Sequence, residues 1–329
     1  MAAQQMIELW RGGMLESLHQ GHAVICGPDG IVQAWGDPQA VIFPRSSCKM
    51  IQALPLIESG AAEAAGLSDA QLALACASHQ GAHVHTDMVT RWLADLGLSE
   101  SDLRCGAHMP TDLIANKELT CSNTAPCQIH NNCSGKHAGF LTLTKHLKAG
   151  PEYVEPDHPV QQAVKQAFEE VTGEPSPGFG IDGCSAPNFA TTVHGLARAM
   201  AFFAAASDSG DTRQRAAHRL TRAMAAHPVL VAGEGRSCTA LMRAMEGRVT
   251  VKTGAEAVFV AILPEQKLGI ALKIIDGATR ASEAAIVALL MRLGVLDAAA
   301  PAVKKYLTGP QKNWRGVHTG ETRLAAGFA

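Results

Sequence analysis

An excess of positive charge, long apolar runs and a disulfide framework are all missing from this chain. Its 28 lysines and arginines face 30 aspartates and glutamates, a formal charge of −2, and no basic tract breaks that balance. Nucleic acid and anionic membrane are thereby disfavoured as main partners. No apolar run reaches transmembrane length, and the start Met1-Ala2-Ala3-Gln4-Gln5 lacks the charged region and apolar core of a secretory signal, so none is expected. Nine cysteines are an odd number and too sparse for a disulfide scaffold in 329 residues. A reducing cytoplasm is the expected setting, with any special cysteine serving as a metal ligand. Internal repeats and low-complexity tracts are absent too. What is present, a chain 47% hydrophobic, suffices for one large domain or two lobes with a substantial core.

Two short motifs carry chemistry. In Arg45-Ser46-Ser47-Cys48-Lys49 a lysine follows a serine at S-x-x-K spacing, and Val251-Lys252-Thr253-Gly254 comes far downstream. Together they read as the S-x-x-K and K-T-G elements of serine β-lactamases and penicillin-binding proteins, in which a lysine deprotonates a serine for attack on an acyl carbon. A serine hydroxyl is a poor nucleophile at neutral pH, and a lysine becomes a base only when burial or a second cation lowers its pKa. If Ser46 opens a helix, Lys49 lies on the same face one turn later. Each motif alone is common by chance, but the context strengthens both. Ser46 follows the strand-like Ala40-Val41-Ile42-Phe43, broken by Pro44, and precedes a helical run holding Met50, Ile51, Leu54 and Ile57. Lys252 ends the β-patterned run from Arg248, and strands over Ala257 to Leu263 and Leu268 to Ile275 follow.

The rest of the pattern is organised around these motifs. Short strands are expected at Met6 to Trp10, Ala23 to Cys26 and Ile31 to Trp35. Alanine-rich helical sequence then dominates to about residue 230, with a capping box at Ser68-Asp69-Ala70-Gln71 and a helix expected over Asn188 to Ala206, among others. The expected fold is α/β (α+β): one mixed sheet assembled from both chain ends with a helical lobe inserted. Residues 1–329 form a single catalytic domain of two lobes, a sheet lobe from 1–45 plus 245–329 and a mainly helical lobe from 46–244. The segment Pro301 to Ala329, with Tyr306 and Trp314, is read as docked on the body.

A second cluster of unusual residues runs from Cys121 through Cys127, His130, Cys133 and Lys136 to His137, just before a helix, and Cys184 lies in the similar loop Gly180 to Pro187. The usual C-x-x-C pairs or H-x-x-x-H spacing of zinc sites are absent, so spacing leaves metal binding and inert buried thiols both open. Loops of this composition can also offer N–H groups to an oxyanion.

At these residues the chain resembles the rhizobial-type (class 3, asparaginase II family) L-asparaginases. The resemblance runs in order through Pro44-Arg45-Ser46, Lys49-Met50-Ile51-Gln52-Ala53, Cys76-Ala77-Ser78-His79, His130 to Gly139, Gly180-Ile181-Asp182-Gly183-Cys184 and Lys252-Thr253-Gly254, nearly the whole chain. It implies a serine-β-lactamase-like fold, a homodimer, and hydrolysis of asparagine to aspartate and ammonia. It further implies two Ser-Lys pairs. Ser46 would attack the side-chain amide carbon with Lys49 as base, while Ser78 and Lys252 relay the proton to ammonia and help activate water. A zinc ion would be held by Cys133, Lys136 and Cys184, with water completing the tetrahedron, and its lysine would have to be neutral to ligate. Arg45 would take the substrate α-carboxylate, Asp182 its α-amine or a contact around the zinc, and His137 would line the site. Cys48 stands where the family pattern has a large apolar residue, a departure that concerns packing.

Two other readings compete. A β-lactam-binding enzyme, or another amide hydrolase of the same fold, would carry an S-D-N or Y-x-N element between the two lysines, and none is evident. A non-catalytic zinc- or redox-sensing module would bind zinc yet release no ammonia.

Overall fold

The computed structural model describes residues 2–329. The chain divides into two compact units, a sheet unit made of the segment ending at Ser47 with Thr191–Ala205 and Ala240–Ala329, and a helical unit made of Cys48–Ala190 with Ala206–Thr239.

Both chain ends build the sheet. Its strands are β1 (Gln4–Arg11), β2 (Met14–Gly27), β3 (Gly30–Trp35), β4 (Thr250–Thr253), β5 (Val258–Leu263), β6 (Leu268–Ile274), β7 (Gln311–Lys312) and β8 (His318–Leu324). They lie in the order β7-β8-β1-β2-β6-β5-β4, with β3 also on β2, and each pairing is antiparallel. The long strand β2 changes partners at Gly21: Met14 to Gly21 pairs with β1, and Gly21 to Cys26 pairs with β6. A Cβ at Gly21 would strike the Lys273 carbonyl and lie 3.1 Å from Ile274 Cα, so only glycine fits the crossover.

Burial explains why β5 reads as an unbroken apolar run. All six of its residues are buried, so both faces are covered, and alternation is not required. The helices Val193–Ala205 and Thr279–Arg292 pack against it. The first comes so close that a Cβ at Gly269 of β6 would collide with the Ala201 backbone. The sequence pattern assigns this helix to the inserted lobe and starts it at Asn188, whereas it begins at Val193 and groups with the sheet. Before it, Pro187–Phe189 pairs with Phe179–Ile181 and Thr191–Thr192 pairs with Val41–Ile42, and backbone committed to those ladders cannot be helical. The C-terminal segment docks through β8 on β1, while Trp314 at the hairpin tip is fully exposed.

The helical unit includes Asp69–Ala75, His83–Asp95, Ser134–His146, Pro159–Thr172 and Thr212–Ala226. Ser68 and Gln71 form the reciprocal capping box read from the sequence. Helix Ser134–His146 enters against Asp69–Ala75 at Gly135, where a Cβ would overlap the Leu74 carbonyl. No helix among the described residues is long and apolar enough to cross a membrane.

Candidate active site

In the sheet unit the serine turn of the first motif meets the second motif. After Val41–Ile42 and Pro44, Arg45 takes a left-handed backbone with φ of +53° and opens a tight helical turn, Arg45–Cys48. A left-handed residue with a Cβ costs about 1–3 kcal/mol and persists where surrounding structure enforces it. Ser47 ties the turn to Pro44 through its amide and through its hydroxyl, at 3.2 and 2.7 Å from the Pro44 carbonyl. Ser46 is half-buried, and its hydroxyl makes no hydrogen bond among the described residues. Gly254 lies against this turn. A Cβ there would sit 2.6 Å from the Pro44 carbonyl and 3.0 Å from the Ser47 amide, so the glycine of K-T-G is what lets the end of β4 approach the serine turn. On β4, Lys252 stands opposite Val260, is buried, and donates to the Thr253 carbonyl at 2.7 Å.

The helical unit gathers the remaining polar groups. Lys49 heads the short helix Lys49–Gln52 and is 1% exposed. Its Nζ has three buried partners: the Ala77 carbonyl, Ser78 Oγ at 3.0 Å and Cys133 Sγ at 3.0 Å. Lys49 is thus bonded to Ser78, a contact that is neither of the two pairs implied by the resemblance. The partners named there for Ser78 and Lys252 belong to different units. The loop at Ser78 is pinned by Ser78 N–H to the Val231 carbonyl and by His79 N–H to the Asn132 carbonyl. His79 Nδ1 accepts from the Gly81 amide, which leaves Nε2 as the protonated nitrogen facing Ser134 Oγ at 2.9 Å. Burial, with the charges of His85 and Lys49, holds the His79 pKa well below the usual histidine value, and the ring stacks on His85 at 4.8 Å.

Cys133, Lys136 and Cys184 converge. Cys133 and Lys136 flank the start of helix Ser134–His146, and Cys184 comes from a turn in which Ser185 adopts φ of +70° and donates to the Asp182 carbonyl. Lys136 Nζ lies 3.0 Å from Cys184 Sγ and 5.3 Å from the Phe140 ring centroid. A hydrogen bond from Cys133 and the charge of Lys136 hold the Cys184 thiol far below its ordinary pKa in spite of burial. The same bond and burial raise Cys133. Burial lowers Lys136, but the two cysteine sulfurs outweigh it, so its pKa is raised. Without metal the cluster is therefore thiolate, thiol and ammonium.

A tetrahedral zinc would hold sulfur and nitrogen ligands roughly 3.5 Å apart. The observed 3.0 Å is within reach of a small outward shift, and two sulfurs with an amine are a suitable donor set, so the residues fit the ion. Asp182 is half-buried and accepts from the Gly183 amide at 2.8 Å. Arg45 lies in the other unit. Cys48 is fully buried with its pKa pushed up to about 12 by desolvation, a neutral packing residue.

One contributor has no signal in the sequence. Tyr153 is 0% exposed; its Oη accepts from the Arg104 amide at 2.7 Å and lies 2.9 Å from His137 Nδ1. Burial raises the phenol and lowers the imidazole, so Tyr153 keeps its proton and donates it to Nδ1. The His137 proton is then on Nε2, which is buried, has no well-formed hydrogen bond and faces Cys184. His137 is thereby placed behind the cysteine–lysine cluster, and only spatial proximity reveals Tyr153, which stands alone in a loop.

Comparison with known proteins places these residues in a family context. The model of the L-asparaginase II family matches residues 7–324. No curated protein matches the sequence. Among solved structures, the chain is similar to a β-lactamase from Mycobacterium bovis at 13% identity, covering 87% of this chain and 94% of that one with a TM-score of 0.45. It is similar also to an octameric penicillin-binding protein homologue from Pyrococcus abyssi at 10% identity, with 90% and 80% covered and a TM-score of 0.38. A class C β-lactamase matches at 12% identity over 93% of each chain, with a TM-score of 0.39.

Proposed function

We infer the reaction from membership and geometry together: the chain belongs to the L-asparaginase II family and is a hydrolase acting on amides, and the amide in this reading is the side chain of L-asparagine. The observation that carries the mechanism is a fully buried lysine amine hydrogen-bonded to a serine, Lys49 to Ser78, with Ser46 one helical turn earlier on the chain. Ser46 Oγ attacks the amide carbon as Lys49 takes its proton. The tetrahedral adduct expels the amine, which leaves as ammonia after gaining a proton relayed by Ser78 and Lys252, and an aspartyl ester remains on the serine. Water, deprotonated by the same groups, then releases aspartate.

Arg45 and Asp182 offer charges of opposite sign to the α-carboxylate and α-amine of the substrate. Cys133, Lys136 and Cys184 would hold zinc, which supplies a fixed positive charge and ties two loops together. His137, fixed by Tyr153, orients Cys184. The reading has the chain working as a homodimer in a reducing cytoplasm, where its nine free thiols persist.

The Lys49–Ser78 bond favours one second reading, in which Ser78 is the serine acylated. Ammonia release from asparagine and glutamine, with ring opening of a β-lactam followed by its ultraviolet absorbance, tests the function, with release from asparagine the expected result. Mass spectrometry of quenched enzyme locates the ester. An adduct on the Ser46 peptide in the Ser78→Ala variant supports the first reading, and an adduct on Ser78 in Ser46→Ala replaces it with the second. No ammonia from asparagine would overturn both.

A further inference from the structure

A cavity of about 470 Å³ opens within the sheet unit, a size suited to a small metabolite. Its floor is apolar, with Ile7 and Leu9 from β1 and Leu307 from the C-terminal segment. Its rim is cationic: Arg280, Lys304, Lys305 and Lys312 face a single carboxylate, Glu283. The lining thus carries a formal charge of +3 in a chain whose total is −2. Like charges gathered in one concavity raise its potential, and a bound anion relieves their repulsion.

The rim has a specific construction. The helical turn Pro301–Val303 widens into a π-turn, Lys304–Thr308, a geometry that is rare and concentrated at functional sites. Gly309 permits its exit, since a Cβ there would collide with the Lys304 carbonyl. Two of the cations are held in place. Lys305 Nζ lies 4.9 Å from the Tyr306 ring centroid, and Arg280 Nε contacts His19 Nε2 at 3.1 Å, the imidazole being anchored in turn on Asp276. The other two, Lys304 and Lys312, are exposed and make no ion pair or hydrogen bond among the described residues.

We propose that this cavity binds a small multiply charged organic anion, a phosphate monoester or a polycarboxylate, with its oxyanion between Lys304 and Lys312 and its carbon body on Ile7, Leu9 and Leu307. No residue of the cavity takes part in the hydrolysis proposed above, so the two readings stand or fall separately.

Isothermal titration of the full chain at low ionic strength with AMP, citrate and inorganic phosphate tests the site. The expected result is binding of AMP or citrate, whichever head group the rim accepts, at least about tenfold tighter than inorganic phosphate, which leaves the apolar floor wet. Affinity should fall as salt is raised, because the rim charges are exposed. Lys304→Glu and Lys312→Glu should each weaken binding at least about tenfold, with unchanged circular dichroism. Failure of both organic anions to bind, phosphate binding as tightly as either, or affinity indifferent to salt and to both reversals would overturn the proposal.

Discussion

Replacing Tyr153 with phenylalanine removes one oxygen and nothing else from the protein interior. The ring still fills its space and keeps its contact with Phe140, at 6.1 Å between centroids, so no cavity forms. Two partners are abandoned. His137 Nδ1 is fully buried and loses its donor, and the Arg104 amide, partly reached by water, loses its acceptor. An unsatisfied buried group costs about 1–3 kcal/mol, with the amide at the low end, giving a loss of about 2–4 kcal/mol. A change in the urea midpoint at constant slope measures it. The substitution also frees the imidazole to move its proton to Nδ1, which withdraws the N–H that faces Cys184. Cys184 should then titrate at higher pH, seen as reduced ultraviolet thiolate absorbance in metal-free protein. A stability loss under about 0.5 kcal/mol, the scale of an indifferent surface change, with thiolate absorbance unaltered, would refute the chain from Tyr153 through His137 to Cys184.

Lys49→Met should leave a folded protein with turnover reduced about 10²–10⁴-fold at every accessible pH; substantial activity regained at high pH would show the amine to be positional. Zinc affinity should fall about a hundredfold per pH unit lost, because protons must leave both Cys133 and Lys136, and competition with a chelator across pH measures the slope. The chelated enzyme should stay folded with a raised KM and little change in kcat. His79 is kept neutral by burial while an unfolded histidine titrates near 6.5. Its contribution is therefore complete above about pH 6.5 and is lost at about 1.4 kcal/mol per unit as pH falls below that, a slope that His79→Gln should remove from the stability profile.

The sequence was most legible where backbone rules act locally. The capping box at Ser68 and Gln71, the strands on either side of the K-T-G element, and the sheet drawn from both ends were all readable, because period and turn chemistry need no knowledge of distant partners. The start of helix Val193–Ala205 was missed for the opposite reason: residues 187–192 are claimed by ladders with Phe179–Ile181 and Val41–Ile42, which no local pattern announces. Of the residues the motifs single out, Lys49, Ser78 and Cys133 come together, and Lys136 lies against Cys184. Which side chain bonds which was not readable, since the Lys49–Ser78 contact depends on how the Ser78–His79 backbone is pinned to Val231 and Asn132. Tyr153 was invisible because its role rests on two contacts far away in sequence.

The pairing of β2 with β6 joins Gly21 to Ile274, about 250 residues apart. Translation adds roughly 5–20 residues per second, so the N-terminal hairpin spends tens of seconds on the ribosome before its neighbour exists. For that time half of β2, with the apolar run Ala23 to Cys26, presents an unpaired edge, the kind of surface that templates aggregation. The helical unit lies wholly between those partners in the chain and can be complete before they meet, so the order of synthesis makes the sheet the last part to close.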